Sequence, residues 1–207
     1  MKAFPLSKCN IDLSRYEKVK LLGKGGCAEV YLVKDKDTQK EYAAKVMKFN
    51  QPTTQDFNEK RICNEIGIML NANHPTIIKT YGYSLLDFEK NNNLTIIMDY
   101  YQNKSLSKLL WDIRSCQGPE KFDDTNRQII LIGIARGMKY LHDRNVIHLD
   151  LSSENILMNE EFYPVISDFD FSQILALNQE KTNILFGGKT VYMAPEAFER
   201  KDYNAKV

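Results

Sequence analysis

The hydrophobic period of the chain switches repeatedly between that of a strand and that of a helix. From Tyr16 to Val46 apolar and polar positions alternate: YEKVKLLGKG and AEVYLVKD flank a glycine-rich turn, and KEYAAKVMKF follows the polar stretch DKDTQ. Side chains in a strand point alternately to opposite faces, so this predicts three antiparallel strands in succession. DFNEKRICNEIGIML then sets Ile62, Ile66, Met69 and Leu70 at helical spacing. Asn73-His74-Pro75 ends that helix, because the residue before a proline is driven out of the helical region. IIKTYGYSLL and LTIIMDYY predict two further strands around the Asn91-Asn92-Asn93 turn.

From Ser105 the period becomes helical. SLSKLLWDIR is a short amphipathic helix, and Thr125-Asn126-Arg127-Gln128 has the capping-box pattern expected to open the long apolar helix IILIGIARGMKYLH. Two short strands, NILMN and PVISD, bracket Glu160-Glu161-Phe162-Tyr163. Strands first and helices after predict an α+β chain of two lobes with a cleft between them.

Composition narrows the class. Of the 207 residues, 43% are hydrophobic and 27% charged, the balance of a globular protein. With 28 basic against 27 acidic residues the net charge is +1, which offers no field for nucleic acid or an anionic membrane. No apolar run reaches the roughly 18 residues of a membrane span, and MKAFPLSKCN lacks a secretory apolar core. A cytoplasmic protein with neither nucleic-acid nor membrane partners is expected. Cys9, Cys27, Cys63 and Cys116 are scattered, without C-x-x-C pairs, and read as reduced thiols.

The chemistry starts at Gly23-Lys24-Gly25-Gly26-Cys27-Ala28-Glu29-Val30. A glycine turn between strands lets backbone N–H groups approach a phosphate chain, although a plain tight hairpin has the same composition. Lys45, in Ala43-Ala44-Lys45-Val46, must snorkel or find an anionic partner. Glu65 is the candidate, with Glu59 and Asp56 as rivals. Asp150, Asn155 and Asp168 are oxygen donors of the kind Mg²⁺ accepts while it bridges phosphates, and each taken singly is equally a turn or cap residue.

Gly23-x-Gly25, Lys45, Glu65, Asn73-His74-Pro75, His148-Leu149-Asp150, Asn155, Asp168-Phe169-Asp170 and Ala194-Pro195-Glu196 follow one another in the order and at the spacings of the eukaryotic protein kinases, a family the chain closely resembles from about Tyr16 onward. The resemblance implies a five-stranded antiparallel sheet with one helix in an N-terminal lobe and a partial, mainly helical C-terminal lobe. It implies a lead segment over 1–15, an N-lobe and hinge over 16–101 and an incomplete C-lobe over 102–207. By this likeness Leu22 would be among the residues that bind ATP, backbone groups of Gly23 to Ala28, Lys24, Gly25 and Gly26 included, would cover its phosphates, and Lys45, positioned by Glu65, would hold the α- and β-phosphates. Val30, Ala43 and Leu157 would sandwich the adenine, with Met98 behind it and Asp99 to Tyr101 as the hinge. Asn155 and Asp168 would coordinate Mg²⁺, and Asp150 would orient the substrate hydroxyl and take its proton. Met69, His148 and Phe169 would stack as an apolar column.

The chain departs from the family pattern at defined positions. Ala28 replaces the third glycine, for which a modest loss of nucleotide affinity is expected. Leu149 replaces the arginine before the catalytic aspartate and removes the cation that would receive a phosphorylated activation loop, so switching by loop phosphorylation is not expected. Asp170 replaces a glycine, mildly, because Asp tolerates left-handed geometry. Ser152 stands where serine/threonine kinases carry a lysine on the γ-phosphate, and Glu154 where tyrosine kinases carry an arginine. Losing one such preorganised charge costs roughly 10²-fold to 10³-fold in rate. Lys189 stands where those kinases place a threonine that binds the catalytic aspartate, with Thr190 one position late. The chain that lacks one cation has gained another, so Lys189, or a register shift using Thr190, is expected to substitute.

Kinase domains continue past Asp202-Tyr203-Asn204-Ala205-Lys206-Val207 through a buried central helix, so the likeness implies a C-terminally truncated domain. Ile129, Ile130, Ile132, Ile134, Met138 and Leu141 would then lack part of the surface they cover, at roughly 1.5 to 3 kcal/mol per exposed side chain. Against a domain stability of roughly 5 to 15 kcal/mol, this predicts a fragment that aggregates or needs a partner protein over the incomplete lobe. The expected activity is transfer of the ATP γ-phosphate, with Mg²⁺, to a Ser/Thr hydroxyl of a protein substrate. The rival expectation is a pseudokinase or truncated fragment that binds ATP or a protein partner without catalysis.

Overall fold

The computed structural model describes residues 9–26, 28–48, 66–103, 105–120, 122–175 and 189–195. The chain divides into two compact units, Met1–Ala72 with Lys79–Tyr100, and Asn73–Ile78 with Tyr101–Val207.

The first unit is built on an antiparallel sheet of β1 (Tyr16–Lys24), β2 (Ala28–Asp35), β3 (Glu41–Met47), β4 (Thr80–Ser84) and β5 (Thr95–Asp99), in the order β1-β2-β3-β5-β4. The alternation read in the sequence sorts its side chains by face. Directly opposed residues share a face, and the pairs Val33 with Tyr42, Tyr31 with Ala44 and Ala44 with Ile97 lie on one side. There Val33, Ala44 and Ile97, each fully buried, form a core with Ile11, Leu13, Tyr16, Tyr31, Tyr42, Tyr81 and Phe88 against it. Tyr42 meets both Tyr16 and Tyr81 edge to face.

The lead segment is part of this core. Asn10 bridges Tyr83, and the Ile11 N–H donates to the Tyr83 carbonyl at 2.8 Å. Asp12 caps the 3-10 turn Leu13–Arg15, and Arg15 Nε donates to Asp35 Oδ2 at 2.6 Å. Close approach requires Gly82, where an added Cβ would stand 2.5 Å from the Cys9 carbonyl oxygen. Of the predicted helix before Pro75, here α1, residues 66–71 are described. They are helical, with Ile66, Ile68 and Met69 buried. Ile62 and Glu65 lie outside the described residues.

Among the described residues the second unit carries α2 (Leu106–Arg114), α3 (Asp124–His142) and two pairs of short β segments. Ser105 caps α2, accepting from the Lys108 N–H. The cap of α3 is Asp123, two residues before the Thr125 expected from the sequence. Its carboxylate accepts from the Asn126 N–H at 3.0 Å, and the Asn126 side chain accepts from the Asp123 N–H at 3.0 Å. Asp caps more strongly than Thr, and an asparagine at the third helical position can return the bond as Glu or Gln does.

The buried stripe of α3 is Ile130, Gly133, Gly137 and Leu141, whereas Leu131 and Ile132 are exposed. The glycines let the helix lie directly on β8. A Cβ at Gly133 would come 2.4 Å from Pro164 Cγ, and one at Gly137 would come 2.5 Å from Thr76 Oγ1 and 2.7 Å from Ile166 Cδ1.

Residues 73–78 group with this unit rather than with the strands that surround them in sequence. Ile77 bridges Ile166, the Ile166 N–H donates to the Thr76 carbonyl, and the Asn73 N–H donates to the Tyr140 hydroxyl. Among the described residues no helix is long and apolar enough to cross a membrane.

Candidate functional site

In the first unit, sheet register collects residues that the sequence leaves scattered. Val30 is opposite Lys45 and Ala43 is opposite Met98, so all four share the face turned away from the aromatic core. Ala43, Lys45 and Met98 are buried there, and Asp99 ends β5 with Oδ1 accepting from the Tyr81 hydroxyl at 2.7 Å.

At the head of the hairpin, Leu22, Gly23 and Lys24 close β1, and the Gly25 N–H donates to the Ala28 carbonyl at 2.8 Å. A Cβ at Gly23 or Gly26 would meet nothing within 4 Å, and one at Gly25 only the Ala28 carbonyl at 3.6 Å; none of the three has a positive φ. Neither packing nor backbone conformation therefore requires glycine here. The space left beside these glycines lets a phosphate chain approach the turn closely from outside. The Lys24 ammonium pairs with Glu29 at 3.1 Å, and Glu29 also takes Lys48 at 2.7 Å and the Tyr31 hydroxyl at 2.6 Å. These donors, Lys48 foremost, hold the Glu29 carboxyl down at about 2 and leave it no role as a base.

In the second unit the loop after β6 (Val146–Ile147) carries Asp150 and Asn155, and the hairpin of β7 (Ile156–Met158) and β8 (Pro164–Ile166) brings Asp168 beside them. Ile156 opposes Ile166, and one step beyond that pair the Ser167 N–H and hydroxyl both donate to the Asn155 carbonyl at 2.9 Å. Asp168 follows directly, at φ 64°. Leu157 is opposite Val165 and bridges Ser105.

Asp150 is buried and its carboxylate is pinned from two sides. Asn155 Nδ2 donates to Asp150 Oδ2 and to the Asp150 carbonyl, both at 2.8 Å, and the Lys189 N–H donates to Oδ1 at 3.0 Å. Each carboxylate oxygen keeps a lone pair for a further donor. With both amide hydrogens of Asn155 on Asp150, its Oδ1 is left as a hard oxygen donor. One amide oxygen with one carboxylate, Asp168, fits a Mg²⁺ ion that completes its shell with water and phosphate. Among the described residues no three His, Cys, Asp or Glu side chains cluster as a metal cage.

His148 supports this loop from beneath. It is 1% exposed, its Nε2 lies 3.1 Å from the Ser167 carbonyl, and Nδ1 accepts from the Asp150 N–H at 3.3 Å. Burial keeps the imidazole below its ordinary pKa, against the upward pull of the Ser167 carbonyl and the nearby carboxylates. The fully buried Phe169 ring packs 5.0 Å from it. Before Asp150, Leu149 sits at φ 65°, a left-handed conformation that leucine rarely takes.

The Lys189 side chain meets two of the positions where the chain departs from the family pattern, Ser152 and Glu154. Its Nζ lies 3.2 Å from Ser152 Oγ and 3.1 Å from Glu154 Oε2. Next to it, Tyr192 and Ser153 join their hydroxyls at 3.0 Å. Ser167 and Ser153 are positioning contacts that the sequence reading missed, and only a cross-strand register could have revealed the first. Glu65, Gly187 and Gly188 lie outside the described residues.

An antiparallel sheet with a glycine turn and a buried lysine, followed in the chain by a pinned Asp–Asn pair and a hairpin aspartate, defines a phosphoryl-transfer type of domain. The family model for the protein kinase domain matches residues 16–207, and the chain belongs to that family. It is 30% identical over 206 residues to a probable serine/threonine-protein kinase of Dictyostelium discoideum, across 98% of this chain and 15% of that protein. It is 31% identical over 184 residues to a PR5-like receptor kinase of Arabidopsis thaliana, across 87% of this chain and 26% of the relative. It is 30% identical over 195 residues to an Aurora kinase of Saccharomyces cerevisiae, across 94% of this chain and 50% of the relative. The chain thus spans half or less of each of these three proteins.

Proposed function

We propose that this kinase domain transfers the γ-phosphate of ATP to a serine or threonine hydroxyl of a protein substrate. The carrying observation is the Asp150 carboxylate, oriented by Asn155 Nδ2 at 2.8 Å and the Lys189 N–H at 3.0 Å. A carboxylate held in that way orients an incoming hydroxyl and accepts its proton as the oxygen attacks phosphorus. The bond from phosphorus to the β,γ-bridging oxygen breaks, and its electron pair leaves on ADP.

On the first unit Lys45 takes the α- and β-phosphates, the glycine turn Gly23 to Gly26 covers them, and Val30, Ala43 and Met98 line the base. Asn155 and Asp168 would hold Mg²⁺, which would supply positive charge against the phosphates. The serine/threonine preference follows from relatives such as the probable serine/threonine-protein kinase of Dictyostelium discoideum. A cytoplasmic setting is in keeping with the free thiols of Cys9 and Cys116.

Ser152, with no charge of its own, favours a second reading as a nucleotide-binding domain without turnover. Labelled-phosphate transfer to a generic acceptor separates the two. Asp150→Asn should reduce transfer roughly 10²-fold to 10⁴-fold while Mg·ATP still raises the melting temperature. Equal transfer by wild type and Asp150→Asn would overturn the assignment of the base.

A further inference from the structure

Lys189 does two separate jobs with one residue. Its backbone N–H holds Asp150 Oδ1 at 3.0 Å, a bond any residue but proline could make, so the side chain is not needed for it. The ammonium reaches back across 37 positions of sequence to Ser152 Oγ at 3.2 Å and Glu154 Oε2 at 3.1 Å. Ser152 is 3% exposed and supplies a neutral oxygen. Glu154 is half-exposed and is held below the ordinary carboxylate range chiefly by its bond to Lys189.

Two of the three ammonium donors are therefore occupied, and the Glu154 pair is half in water, where ion pairs are weak and readily exchanged. A second anion arriving beside Asp150 can take the third donor or displace Glu154. Phosphoryl transfer brings such an anion to this place, because the transferred group must lie next to the hydroxyl that Asp150 activates.

We infer that the Lys189 ammonium is the cation that binds the transferred γ-phosphate, entering from the segment after the activation loop in place of the lysine absent at Ser152, and that Glu154 is its resting counter-ion. The inference rests on the kinase reading above and adds to it a catalytic residue. It also accounts for the joint presence of Ser152, Glu154 and Lys189: a lysine at 152 would face the Lys189 ammonium with like charge.

The test uses the whole chain and the difference between ATP and ADP affinity, since only ATP carries the γ-phosphate. Calorimetry with Mg²⁺ is compared for wild type, Lys189→Met, Glu154→Gln and the double variant Lys189→Met with Ser152→Lys. Methionine keeps the backbone N–H and the apolar stem. Lys189→Met should lower the ATP-to-ADP affinity ratio about tenfold and the transfer rate by roughly 10²-fold to 10³-fold. Glu154→Gln should raise the ratio, because it removes the competing carboxylate. Ser152→Lys in the Lys189→Met background should restore most of it.

If Lys189 were only the structural partner of Glu154, breaking the pair from either side would have the same effect. Parallel changes in Lys189→Met and Glu154→Gln, or an unchanged ratio in Lys189→Met, overturn the inference while wild type still binds ATP. Should wild type bind neither nucleotide, the kinase reading itself falls and this inference with it.

Discussion

Protonating His148 would aim a second ring N–H at the Asp150 backbone N–H that now donates to Nδ1, so the buried ring is confined to one neutral tautomer and the loop depends on it. Glu29 is the other residue whose charge state is set by its neighbours. Its carboxyl falls from the ordinary 4.5 to about 2 under Lys48, Tyr31 and Lys24. A folded value below the unfolded one means that this stabilisation is complete above about 4.5 and is lost as the pH falls toward 2. Glu29→Gln should therefore flatten the decline of melting temperature across that window, and identical slopes in wild type and variant would refute the network's contribution. At this scale the sequence disclosed which residues matter more readily than how they are held. Asp150, Asn155 and Lys189 could be singled out, the last from paired departures. The division of Lys189 between a backbone bond and a side-chain bond required the fold, because its partners are 35 to 39 positions away in the chain.

Helix α3 shows where periodicity misleads. Ile129, Ile130, Ile132, Ile134, Met138 and Leu141 give an apolar run, yet its tightest contacts are made by Gly133 and Gly137. A hydrophobicity pattern records side chains and says nothing of a stripe that works by having none. Replacing a helical glycine by alanine ordinarily gains about 1 kcal/mol. Here the sign should reverse: Gly137→Ala must displace Thr76 and Ile166 and is expected to cost about 1 to 3 kcal/mol in a urea melt. A gain would show that α3 can lift from β8 at no cost. The strands were easier to read, since period two fixes the face of every residue once one pairing is known. Val30, Ala43, Lys45 and Met98 gather for that reason.

At the scale of the molecule, the order of strands before helices announced two units, but their membership is not a single cut along the chain. Residues 73–78 join the second unit because Ile77 forms a bridge with Ile166 of β8, flanked by main-chain bonds from the Ile78 N–H to the Ile166 carbonyl and from the Ile166 N–H to the Thr76 carbonyl. Such long-range pairing leaves no local trace. The lead segment is similar: nothing in its composition announces that Ile11 and Leu13 complete the core over Val33, Ala44 and Ile97. Deleting residues 1–15 should lower the stability of the sheet unit by about 3 kcal/mol, the scale of one or two buried apolar side chains. An unchanged denaturation midpoint would mean that the segment only rests on the surface.

The bond from Ile11 to Tyr83 has an effect beyond packing. β4 is a border strand, and Asn10 and Ile11 already occupy main-chain groups along its outer rim. On the far border β1 presents Lys18, Lys20 and Lys24. An extended segment from a neighbouring molecule would find one rim taken and the other lined with like charge, so the sheet resists being lengthened by strand addition.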